Sequence, residues 1–160
     1  MPLPNHRRSN AGFTLLELMI VVAIVAILSA IAVNSYLKYA QQSRRSDALA
    51  ALTQDQGILE RCYAQTFDYS KVTVAASGCG TLTTTATNPS PKGYYAVALS
   101  LPSSASTGGV VTAYTLTATP VVGAPQASDS QCAVFTLTSA NGHSATDSGG
   151  NDQTDVCWQQ

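Results

Sequence analysis

The sequence predicts an α+β protein: a long N-terminal helix, membrane-spanning in its lower half, packed against a small antiparallel sheet of three to four strands. Three observations carry that expectation. An apolar run from Phe13 to Val33 contains neither Pro nor Gly. Apolar residues then recur at three- and four-residue steps as far as Cys62, the period of a helix with one buried face. Beyond Tyr94 the period falls to two, the alternation of half-buried strands.

The first element is the apolar run. Its 21 residues, Phe13 through Val33, span about 32 Å as a helix, enough to cross a hydrocarbon core of roughly 30 Å. His6, Arg7 and Arg8 precede it without any acid, so the positive-inside bias holds the N-terminus in the cytoplasm. Glu17 interrupts the run. A carboxylate in hydrocarbon costs roughly 2.5–3.5 kcal/mol, which makes it a functional residue by default. A secretory signal would carry a small-residue cleavage site after the run, and Asn34-Ser35-Tyr36-Leu37 offers none. The small residue with that potential, Gly12, stands before it. Cleavage there would keep the helix and free an α-amine on Phe13, four residues from Glu17. A plain signal anchor with a snorkelling or neutral Glu17 leaves the joint placement of Gly12 and Glu17 unexplained.

Gly12-Phe13-Thr14-Leu15-Leu16-Glu17, followed by an uninterrupted apolar stretch, resembles the class III leader of type IV pilins. The resemblance implies that a prepilin peptidase cuts between Gly12 and Phe13 and N-methylates Phe13. It also implies that Glu17 pairs with the Phe13 amine of a neighbouring subunit during filament growth. The physics agrees, since opposite charges shielded from water compensate each other better than either stands alone. The implied organisation is a cleaved leader over 1–12, a transmembrane and assembly helix over 13–33, an extracytoplasmic helix over 34–65 and a headgroup over 66–160. That headgroup would hold an αβ-loop, an antiparallel sheet and a C-terminal disulfide loop, the pilin fold. Many type IV pilins have Pro where this chain has Asn34, so a straighter helix is expected.

The helix should continue past Val33 to about Tyr63, with Ala48, Ala51, Leu52, Asp55, Ile58, Leu59 and Cys62 on its buried stripe. Arg44, Arg45, Asp47, Gln54, Gln56 and Glu60 are expected mostly to face water. Phe67 to Pro91 reads as an irregular connection. Tyr95, Val97, Leu99 and Leu101 then mark a first strand, and a Ser/Gly loop covers 102–109. Val110 to Thr119 reads as a second strand with Tyr114, Leu116 and Ala118 inward, and 120–130 as a loop. Cys132 to Thr138 reads as a third strand with Phe135 and Leu137 on one face. Asn141-Gly142 signals a tight turn into a short fourth strand over 143–146. The run Tyr114 to Pro120, the Asn141-Gly142 turn and the terminal Cys157-Trp158 look most like PilE-like minor pilins.

Four cysteines, Cys62, Cys79, Cys132 and Cys157, lie in the outward part, where an even count reads as disulfides. Three pairings are possible and the sequence does not choose. Local closure suggests Cys62–Cys79 and Cys132–Cys157, each contributing about 3 kcal/mol in the chain-entropy model. The second pairing resembles the C-terminal disulfide loop of pilins.

Charge narrows the function classes. The formal net charge is −1, and removing Arg7 and Arg8 with the leader leaves six basic residues against nine acids, or −3. Nucleic-acid binding by broad phosphate neutralisation is therefore not indicated, and Lys38, Arg44 and Arg45 read as a membrane-proximal solvated face. Zinc is disfavoured, because His6 and His143 are the only histidines and no C-x-x-C occurs. No catalytic set is visible, and His143 has no evident orienting partner. The oxygen-rich 147–155 segment lacks EF-hand spacing and reads as a flexible polar loop. Tyr36 and Tyr39 suit a membrane interface, while Tyr94, Tyr95 and Trp158 suit partial burial.

These readings converge on a minor pilin, a structural subunit that is no enzyme and needs no cofactor or metal. Its expected partners are other pilin subunits, prepilin peptidase, the inner-membrane assembly machinery and, before assembly, the bilayer itself. It would pass from the inner membrane, as a single-pass protein, to an extracellular type IV pilus. Twitching motility, adhesion and DNA uptake are not separated by any residue. A major pilin and a type II secretion pseudopilin are the rivals within the family; a membrane-anchored ligand-binding module is the rival from another class.

Overall fold

The computed structural model describes residues 12–74, 79–84, 87–102, 109–140 and 142–159. The leader residues His6, Arg7 and Arg8, the middle of the 102–109 loop and Asn141 of the expected turn lie outside the described residues. The chain divides into two compact units, one ending at Tyr39 and the other starting at Ala40. A single helix, α1 (Leu15–Thr66), contributes to both and passes Asn34 without a break.

In the first unit α1 starts behind Thr14, whose hydroxyl accepts the backbone N–H of Glu17 at 3.2 Å. That contact satisfies one of the donors a helix N-terminus leaves free. The segment beyond it is long and apolar enough to cross a membrane by length and composition.

In the second unit α1 turns Ala48, Ala51, Leu52, Leu59 and Cys62 into one core with Tyr95, Val97, Leu116 and Phe135. The opposite wall is an antiparallel sheet of five strands in sequential order. They are β1 (Asn88–Pro89), β2 (Tyr95–Ser100), β3 (Thr115–Pro120), β4 (Val134–Thr138) and β5 (His143–Thr146). Register makes one face apolar. Leu99 lies opposite Leu116, Leu116 opposite Leu137 and Ala118 opposite Phe135, and all are buried. The Tyr95 and Phe135 rings meet edge to face at 5.8 Å, a preferred aromatic arrangement. A short helix, α2 (Thr154–Trp158), follows β5.

The architecture is the α+β layer the sequence predicts, with corrections. There are five strands, not three to four, because two residues of the supposedly irregular 67–91 connection pair with Ala96 and Val97 as β1. β3 begins at Thr115, not Val110. The Val111 amide donates to Asp68 at 3.1 Å and its carbonyl accepts from Tyr69 at 2.9 Å, which commits that backbone to the segment that follows α1. β3 also includes Pro120, opposite Tyr95, at the strand end where its missing N–H matters least. β4 begins at Val134, since the Cys132 amide is given to Asp129 at 3.3 Å. Arg45 and Asp47, expected in water, are 7% and 2% exposed.

Candidate functional site

Thr14 and Glu17 have the spacing of a capping box, in which a threonine caps the helix and a glutamate three residues on can reach back. The Leu18 amide bonds the Thr14 carbonyl at 3.2 Å, closing the first turn. Phe13, just outside the cap, is 85% exposed. Glu17 is exposed as well, in a stretch where every large apolar side chain from Leu15 to Val33 is at least half exposed. A soluble monomer does not carry a contiguous apolar surface of that extent. A Cβ added at Gly12 would meet nothing within 4 Å, so folding does not require glycine there.

In the second unit, the two charges that the sequence reading placed in water fasten loops to α1. Arg45 grips Asp129 through two bonds, Nε to Oδ2 at 2.7 Å and Nη2 to Oδ1 at 3.0 Å, the fork geometry that suits guanidinium to carboxylate. Gln126 and the Gln131 amide also donate to Asp129, at 2.8 and 3.2 Å. Asp47 accepts from the Ser90 hydroxyl and from the backbone amides of Lys92, at 3.0 Å, and Tyr94, at 3.2 Å. It thereby fixes the β1–β2 turn. The helical period contained this signal. Arg45 lies three and seven residues before Ala48 and Leu52, and Asp47 lies four and eight before Ala51 and Asp55. Their charge argued for water, but their register puts them on the stripe.

That turn presents a small basic and aromatic surface. The Arg44 guanidinium lies 5.4 Å from the centroid of the Tyr94 ring, a cation–π distance, and exposed Lys92 stands two residues away. At the other end of the unit, Glu60 accepts the Tyr114 hydroxyl at 2.9 Å and the Tyr69 hydroxyl at 3.1 Å. Burial first, then the Glu60 carboxylate, pushes the Tyr69 hydroxyl up to about 12. Tyr63 stacks on Tyr69 with ring centroids 4.4 Å apart.

Disulfides join Cys62 to Cys79 and Cys132 to Cys157. In the 147–155 segment, the Asp147 carboxylate accepts from the Gly149 and Asn151 amides and from the Asn151 side chain. Those bonds, the Asn151 side chain foremost, hold it below the usual carboxylate range. The loop is thus closed on itself. Among the described residues no cluster of three or more His, Cys, Asp or Glu side chains is arranged to hold a metal ion. His143 lies against Trp158 at 4.9 Å, Tyr95 is fully buried, and Tyr94 and Trp158 are half-buried.

Two family models match the chain. Residues 34–136 match the family described as type IV minor pilin ComP, DNA uptake sequence receptor. Residues 7–33 match the prokaryotic N-terminal methylation motif. Among curated proteins, the type IV major pilin protein PilA of Myxococcus xanthus is 56% identical over 39 residues, 24% of this chain and 18% of that protein. The fimbrial protein EcpC of Eikenella corrodens is 40% identical over 58 residues, 36% of this chain and 38% of that protein. The type IV major pilin protein PilE of Neisseria gonorrhoeae is 53% identical over 38 residues, 24% of this chain and 23% of that protein. The chain thus spans well under half the length of each of these relatives.

Proposed function

The chain belongs to the type IV minor pilin family, and from that premise we propose that it is a subunit of a type IV pilus, released for assembly by cleavage after Gly12. The observation that carries this reading is Glu17, an exposed carboxylate one turn into a helix whose large apolar side chains from Leu15 to Val33 are all uncovered. Before assembly the segment 13–33 sits in the inner membrane as a single span with its N-terminus inside. Prepilin peptidase removes residues 1–12 and methylates the Phe13 amine. In the filament, helices replace lipid with one another, and Glu17 meets the Phe13 amine of a neighbour. A misplaced register leaves a buried charge unpaired, which costs several kcal/mol, so the pair selects one axial offset. Residues 34–65 carry the helix out of the membrane and 66–160 form the head. The role is structural, without catalysis of its own.

Mass analysis of the chain from sheared filaments tests this: an N-terminus at methylated Phe13 is expected, and an intact Met1 would end the proposal. Glu17→Ala should be cleaved normally yet enter filaments poorly.

The family's description suggests a second, compatible role in DNA uptake. The observation in its favour is the Arg44–Tyr94 stack beside Lys92. With a head this acidic, contact would involve about two phosphates, giving a slope near −2 for log affinity against log salt. Titrating duplex DNA at several salt concentrations checks it; a steep slope, or binding unaffected by Arg44→Ala with Lys92→Ala, would exclude this surface.

A further inference from the structure

The turn that displays the Arg44–Tyr94 stack is held by a buried carboxylate. Ser90, Pro91, Lys92 and Gly93 form it, with the Gly93 amide bonding the Ser90 carbonyl at 2.9 Å. Pro91 at the second position fixes φ at about −65°. Gly93 takes φ 73°, where a residue with a Cβ would be strained. The ends are clamped by the Ser90 amide on the Tyr95 carbonyl at 2.9 Å and the Tyr95 amide on the Ser90 hydroxyl at 3.0 Å. Asp47 of α1 accepts three further bonds, from the Ser90 hydroxyl and from the Lys92 and Tyr94 amides at 3.0 and 3.2 Å. The Tyr94 carbonyl is also engaged, accepting from Val121 at 3.0 Å. Lys92 and Tyr94 therefore extend from backbone that is already ordered.

The charge of that anchor has a cost. A negative group three residues from Arg44 on the same helix, bonded to the Lys92 amide, weakens the pull of both cations on any anion. Asp47 nevertheless lies 2% exposed, and its oxygens are taken by N–H and O–H donors of the turn instead of by the neighbouring guanidinium. Among the described residues the ion pairs are Arg45–Asp129 and Lys71–Asp68, so Arg44 and Lys92 keep their charges for a partner.

We propose that Asp47 is a positioning residue for DNA: by fastening the β1–β2 turn to α1, it presents Lys92 and Tyr94 beside Arg44 in the conformation that meets phosphate. Contact then orders no loop, which is where a flexible turn would lose affinity. The inference rests on the reading that Arg44 and Lys92 contact DNA phosphates.

Charge and position predict opposite signs for this residue. The full-length chain in nonionic detergent is titrated with labelled duplex DNA at several salt concentrations, each variant well below its unfolding midpoint. Asp47→Ala removes a negative charge, so electrostatics alone would tighten binding. Positioning predicts the reverse, an affinity about tenfold weaker, the scale of ordering two side chains and their turn on contact. The slope against log salt should stay near −2, because the bound state makes the same phosphate contacts. Ser90→Ala removes one of the three bonds and no charge; it should weaken binding about threefold, whereas a charge effect leaves binding unchanged. This variant decides the matter if Asp47→Ala does not fold. Arg44→Ala with Lys92→Ala separates the two readings. If that pair abolishes binding while Asp47→Ala and Ser90→Ala bind as tightly as the wild type or more so, the DNA surface stands and the positioning role is overturned. If the pair leaves binding intact, both fall.

Discussion

Asp55 sits on the buried stripe of α1 with 6% of its surface exposed, and its Oδ2 meets no hydrogen-bond partner. Burial raises its carboxyl from 3.8 to about 6. The folded value lies above the unfolded one, so the native state binds the proton more tightly. Below about pH 3.8 both states are protonated and the residue is neutral to stability. Its penalty grows as pH rises toward 6 and is complete above that, at most roughly 3 kcal/mol for a shift of about two units. Asp55→Asn should therefore unfold at higher temperature than the wild type at pH 7.5, with the gap closing near pH 3.5. Equal midpoints at both pH values would show that the carboxylate finds compensation. The stripe position of Asp55 was legible in the sequence; its missing partner was not, because that depends on what the loop opposite offers. Gly12 is the converse case. Open space surrounds the position where its Cβ would be, so a bulky substitution should leave the fold intact and block cleavage. A normally processed Gly12→Leu chain on an immunoblot would show that the peptidase does not read this residue.

Periodicity served well where burial followed hydrophobicity, as in the 48–62 stripe, while the bounds of β5 were anticipated from the Asn141-Gly142 turn signal. It served poorly where tertiary hydrogen bonds decided. β1 is two residues long and one is proline, so it carries no alternation to read. The helical period placed Arg45 and Asp47 on the buried stripe, but their partners lie 84 and 43 residues away, a distance no local pattern encodes. The Arg45–Asp129 pair makes an element-scale prediction. Arg45→Ala would strand a carboxylate that is 4% exposed, at about 3–5 kcal/mol, whereas removing both charges is far milder. Arg45→Met combined with Asp129→Asn should thus be more stable than Arg45→Ala alone. Chemical denaturation in detergent of the wild type, Arg45→Met, Asp129→Asn and the double variant gives the coupling; simple additivity would mean that the pair contributes nothing beyond its separate members.

Across the whole head, the two disulfides protect different things, although both close loops of similar length, with separations of 17 and 25 residues. Chain entropy alone assigns each about 3 kcal/mol and predicts nearly equal effects on removal. The strand edges argue otherwise. β5 is the last strand of the sheet, and its outer edge is covered by the chain that Cys157 anchors. Gln153 donates to the Ala145 carbonyl at 2.8 Å, the Thr154 hydroxyl accepts the Ala145 amide at 3.0 Å, and the Trp158 indole donates to the Ser144 carbonyl at 3.0 Å. Without the Cys132–Cys157 bond, α2 is held mainly by these contacts, and its loss would bare a strand edge ready to pair with another chain. Cys62–Cys79 instead ties the αβ connection to α1, and the sheet's other edge, β1, is one that proline already blunts. Replacing Cys132 and Cys157 by Ser should therefore both destabilise the head and provoke aggregation. Replacing Cys62 and Cys79 by Ser should destabilise it by a similar amount while leaving it monomeric in detergent. Light scattering during thermal unfolding separates the two, and equal scattering from both variants would show that the C-terminal segment covers the edge without help from its disulfide.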